Sequence, residues 1–106
     1  MNCVVVGADH LGNIPEVLKS MGILVINHIT GRAASHQRQV ITLPSNVDLL
    51  ILFVDYLNHN AMRNYRRRAG AQGIRVLACR RSASCLLTEV QRVFGEATAA
   101  TSQPSN

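Results

Sequence analysis

Ile51-Leu52-Phe53-Val54-Asp55-Tyr56-Leu57-Asn58-His59-Asn60 is the stretch that decides the fold. A continuous apolar run ends in Asp, then in Asn-His-Asn, and a basic stretch with helical spacing follows. A run without polar alternation reads as a strand buried on both faces. Its polar end then belongs to a loop that enters a helix. In an open α/β sheet, that is the edge at which ligands bind.

The same pattern repeats on either side. Residues 2–6 are a short apolar strand that ends at Gly7, followed by Ala8-Asp9-His10-Leu11-Gly12. Asn13, with Glu16 three residues later, suits a helix start, and Pro15 is tolerated in a first turn. Ile14, Val17, Leu18 and Met21 recur at i, i+3, i+4 and i+7, and Gly22 ends the helix. Residues 23–26 read as a second strand buried on both faces, ending in Asn27-His28-Ile29-Thr30-Gly31-Arg32. Residues 33–39 are weakly patterned, a loop or short helix; residues 40–43 suit a brief extended piece, and Pro44-Ser45-Asn46 a turn.

The third strand is expected over 47–56. It is the most hydrophobic and therefore central. The helix after it starts near Asn58 or Asn60, with Met62, Tyr65 and Ala69 on one face and Arg63, Arg66 and Arg67 turned mostly to solvent. Residues 74–79 form a fourth strand ending in Arg80-Arg81-Ser82. Ser82 or Ser84 caps a last helix with Leu86, Leu87, Val90 and Phe94 on its apolar face. The order predicts one three-layer α/β domain over 1–95, with a Rossmann-like or flavodoxin-like parallel sheet of about four strands in the order 2-1-3-4. Residues 96–106 read as a disordered tail.

At 106 residues and 47% hydrophobic content the chain suits one modest core. No apolar run approaches the ~18 residues of a membrane span, and no signal-peptide pattern opens the chain, so the expected compartment is the cytoplasm. Cys3, Cys79 and Cys85 are an odd set without a C-x-x-C pair, read as reduced residues. Cys3 and Cys79 behave as small hydrophobes in strands. Cys85 sits near a helix start, where thiols can gain reactivity. The net charge is +5, and every basic residue but Lys19 is Arg. Arg suits carboxylate and phosphate because its planar fork binds two oxygens at once, although codon bias on a solvated surface gives the same composition.

A parallel sheet gathers its strand ends at one edge. Here they carry Asp9 and His10, His28 and Arg32, Asp55 and His59, then Arg80 and Arg81. A loop histidine is usually a surface residue, but three at one edge point to a site. Gly7 and Gly12 have P-loop spacing, yet Asn13-Ile14 stands where that loop needs Lys-Ser/Thr. No G-x-G-x-x-G is present. Asp9 and Asp55 match the acidic positions of a phosphoacceptor receiver, without its fifth strand and Lys. No nucleophile with its base is legible, so the reading is not an enzyme. The histidines lack i, i+4 spacing, so a zinc site would have to be assembled by the fold.

Val6-Gly7-Ala8-Asp9-His10-Leu11-Gly12-Asn13-Ile14-Pro15, the segment from His28 to Arg32, Asp55-Tyr56-Leu57-Asn58-His59-Asn60 and Arg80-Arg81-Ser82 resemble the small bacterial family named domain of unknown function (DUF) 2325. The resemblance spans roughly residues 2 to 94. It implies b-type haem that takes up oxygen or another diatomic gas, in a sensor or carrier. Haem needs an imidazole on iron, an apolar slot and donors for two propionates. On that implication His28 is the expected iron ligand, with Gly31 and Arg32 leaving room for a flat ring. His59 follows as a neutral ligand or donor in a first helical turn, and His10 third. His36, in the weakly patterned segment, reads as a surface residue. Arg32, Arg80 and Arg81 would serve the propionates, and Leu11, Ile29, Tyr56 and Leu57 the slot. A second copy would help cover the ring, so a homodimer is expected. The alternative is a module for a phosphate-bearing ligand, nucleotide or nucleic acid, held by Arg80 and Arg81 before a helix and by the cluster from Arg63 to Arg68. Scarce aromatics disfavour single strands.

Overall fold

The computed structural model describes residues 1–30, 43 and 45–95. Four strands, β1 (Asn2–Val6), β2 (Leu24–Ile29), β3 (Leu49–Phe53) and β4 (Arg75–Cys79), form one parallel sheet in the order β2-β1-β3-β4. Among the described residues, α1 (Ile14–Ser20) joins β1 to β2, α2 (His59–Gln72) joins β3 to β4, and α3 (Ala83–Val90) follows β4. The expected α/β class and strand order are both present. Arg32, His36, residues 33–42 and the 96–106 tail lie outside the described residues.

Alternation along the strands divides the core into two layers. Cys3, Val5, Leu49, Ile51, Phe53 and Leu77 pack with Ile14 and Leu18 of α1 and Leu86 and Val90 of α3. Val4, Val6, Leu50 and Leu52 pack with Tyr65 and Ala69 of α2 and with Ile74. Every residue of β3 is fully buried, as its unbroken apolar sequence predicts. Each such side chain contributes roughly 1.5–3 kcal/mol relative to exposure.

β2 departs from its expected double burial. It is the edge strand, with Leu24 53% exposed and no fully buried residue. Its pairing with β1 slips by one residue, Cys3 opposite Val25 and Val4 opposite Asn27. Ile26 and Ile29 consequently both pack toward the α2 layer, which regular alternation forbids.

β3 is also shorter than the expected 47–56. Its ladder ends with Phe53 opposite Cys79, and Val54–Tyr56 turn into a 3₁₀ segment whose residues are all exposed. Asn58 caps α2, its Oδ1 accepting the Ala61 N–H at 2.8 Å, and Gly73 closes the helix in the left-handed region at φ 71°. Ser82 caps α3 by accepting the Cys85 N–H. Asn13 makes no side-chain cap; the Ile14 N–H donates instead to the Leu11 carbonyl. Leu87 is 36% exposed, so it stands outside the α3 core face. Among the described residues no helix is long and apolar enough to cross a membrane.

Candidate functional site

The carboxyl edge of the sheet is built around the turn after β1. Gly7 adopts φ 110° and Ala8 φ 70°, two successive residues in the positive region. Gly7 is required there on two grounds. Few L residues accept that φ, and a Cβ would lie 3.1 Å from the Phe53 Cβ and 3.2 Å from the Phe53 carbonyl oxygen.

His28 holds this turn from the neighbouring strand. Its Nε2 lies 3.0 Å from the Gly7 carbonyl and 2.9 Å from that of Ala8. Carbonyls only accept, so Nε2 carries the proton and donates to both. The imidazole is thereby committed through one nitrogen, leaving Nδ1 as its remaining ligating atom.

Arg81 ties the other side of the edge. Its Nε donates to the His10 carbonyl at 2.7 Å. Its backbone N–H donates to the Asp55 carboxylate, 3.2 and 3.4 Å from the two oxygens. Asp55 thus fixes the end of β4 to the end of β3, and Arg81 fixes the loop after β1. His10 contributes its carbonyl to this arrangement, while the residue itself is exposed.

His59 stands elsewhere. It opens α2 and is exposed. With Met62, Arg63, Arg66 and Arg67 it lines a concave site of about 580 Å³. These positions run i, i+3, i+4, i+7 and i+8, one stripe of a helix. Ala61, Tyr65 and Ala69 form the buried face of α2, and Met62, expected with them, sits at the border between the core and the concavity. Burial raises the Tyr65 phenol above its usual value. α2 contains four arginines and no carboxylate, so no acidic side chain of the helix neutralises the stripe.

A second concavity, about 250 Å³, lies where β4 gives way to α3. It is lined by Cys79, Arg80, Ser84, Cys85, Thr88 and Glu89. Burial pushes the Cys79 thiol up to about 12, and Cys85, Glu89 and Asp55 add to the rise.

The expected site residues therefore occupy three places. His28, Arg81 and the His10 backbone bracket the turn after β1. His59 belongs to the arginine stripe, and Arg80 to the cysteine-lined cavity. Among the described residues no three His, Cys, Asp or Glu side chains are grouped to hold a bare metal ion. Arg63, Arg66 and Arg67 are exposed, as expected, and belong to the cluster from Arg63 to Arg68 named for a phosphate-bearing ligand. Not joined to them in the sequence reading is His59, which their i, i+4, i+7 and i+8 spacing places on the same stripe.

A family model described as an uncharacterized protein conserved in bacteria (DUF2325) matches residues 2–93. No curated protein and no solved structure matches the chain.

Proposed function

The chain belongs to the DUF2325 family, and from that premise we propose that it binds haem b at the α2 stripe, in the service of reversible gas binding. The observation that carries this reading is the co-location of an imidazole, a thioether and three guanidinium groups around one concave site of about 580 Å³. Cofactor sites usually span roughly 300–1,000 Å³. His59 supplies an imidazole with no hydrogen-bond partner among the described residues. Arg63, Arg66 and Arg67 supply cationic forks for two propionates, and their methylene stems with Met62 give apolar wall. Ferrous haem would supply the coordination position for oxygen or another diatomic gas. His59 is favoured over His28 as the iron ligand because the His28 Nε2 already serves two carbonyls. A second copy, in a homodimer, would cover the open face of the ring.

Haem titration of the purified protein tests the reading. A stoichiometric Soret band is expected, lost in His59→Ala and retained in His28→Ala. A protein with no specific haem spectrum refutes it.

The carboxylate-free run of arginines on α2 also favours a second reading, a phosphate-bearing ligand such as nucleic acid. Binding would then weaken steeply with salt, and removing one contacting arginine would lower the log–log slope by about 1. Titration with duplex DNA at several salt concentrations decides this; no salt-dependent binding removes it.

A further inference from the structure

We infer that Cys79 and Cys85 form a paired oxidation site that a hydroperoxide converts to an intramolecular disulfide. This rests on the cavity after β4 and is independent of any haem at α2. Five residues separate the two cysteines, and both line the same cavity of about 250 Å³. Their inequality sets the order of events. Cys79, last residue of β4, is 8% exposed. Cys85 is half-buried in the first turn of α3, where its N–H is held by the Ser82 hydroxyl. Oxidant entering the cavity therefore meets Cys85 more readily than Cys79. Burial keeps Cys79 protonated at neutral pH, which suits it to the second step rather than the first. Cys3 serves as an internal control: it is fully buried in the core layer under α1 and α3 and does not line the cavity.

The chemistry closes with the hydroperoxide as sole oxidant. The Cys85 thiolate sulfur attacks the terminal peroxide oxygen, the O–O bond breaks, and the leaving oxygen takes a proton and departs as alcohol or water. Cys85 is then a sulfenic acid. The Cys79 sulfur attacks that sulfur, the S–O bond breaks, and hydroxide leaves with the Cys79 proton as water. Two thiols lose two electrons, which the peroxide accepts.

The test uses the wild-type chain with stoichiometric hydrogen peroxide, followed by alkylation in denaturant and trypsin without reductant. Cleavage after Arg80 and Arg81 separates the two cysteines, so the bridge appears as peptide 76–80 joined to peptide 82–92, and only Cys3 is alkylated. Intact mass falls by two hydrogen atoms. In Cys79→Ala, checked for folding by its thermal melt, Cys85 should be trapped as a dimedone adduct; in Cys85→Ser, Cys79 should stay reduced. Three alkylated cysteines after peroxide would overturn the inference, as would a Cys85 sulfinic acid beside free Cys79, or a bridge between two chains.

Discussion

His28→Ala and His59→Ala should have opposite consequences, and the difference can be worked from the geometry. In His28→Ala the Nε2–H that serves Gly7 and Ala8 disappears. The lost hydrogen bond is worth about 0.5–1.5 kcal/mol net, and leaving buried acceptors without a donor costs about 1–3 kcal/mol. Both acceptors belong to buried residues, Ala8 being 2% exposed. Ala8 also holds a positive φ that is intrinsically unfavourable for a residue with a Cβ, so the turn relaxes once the clamp is gone. The combined loss is about 2 kcal/mol, which corresponds to a fall in Tm of roughly 8–16 °C for a domain of this size. His59 is exposed, and its removal should change stability by less than about 0.5 kcal/mol while abolishing the Soret band. His28→Gln, which keeps an N–H donor, should recover part of the lost Tm. Thermal melts of apoprotein and haem titrations of the same variants read both quantities. A His28→Ala melt unchanged within about 2 °C would refute the clamp, because no buried carbonyl could then have lost its donor. A Soret band that survives His59→Ala but not His28→Ala would refute the placement of haem on α2.

Gly7→Ala places a Cβ against Phe53 at 3.1 and 3.2 Å with φ at 110°, and overpacking added to backbone strain should lower stability by about 2–5 kcal/mol, read as a lower urea midpoint. Stability should also fall with alkaline pH. Burial pushes Cys3 and Cys79 from 9.0 up to about 12, so both thiols stay protonated in the fold while the unfolded chain loses its protons. Their contribution is complete below pH 9 and is lost as pH rises toward 12. The Tm of Cys3→Ala and Cys79→Ala should decline less steeply over that window; parallel slopes for wild type and variants would contradict this.

The sequence by itself determined the sheet. The unbroken apolar run of β3, the short runs of β1 and β4 and the helical spacing between them leave one simple parallel arrangement, and the structure has it. The caps of α2 and α3 were legible to within two candidates each, Asn58 or Asn60 and Ser82 or Ser84, because a side-chain oxygen before a helical pattern acts locally; the structure has Asn58 and Ser82. The tertiary structure decided where the polar residues at the carboxyl edge go. A slip between Cys3 and Val4 resets the facing of β2, so no periodicity in residues 23–29 could say that His28 turns back to clamp Gly7 and Ala8. Arg81 and His10, and Asp55 and Arg81, meet only through long-range packing. The opening stretch therefore delivers its polar end to two places. Asp55 locks β4 to β3, whereas His59, three residues past the 3₁₀ turn, opens α2 and lines a concavity with its arginines. The physical reason is the turn itself: pairing stops at Phe53, and Val54–Tyr56 form a 3₁₀ segment before α2 begins, where the unbroken apolar pattern of the sequence predicts strand.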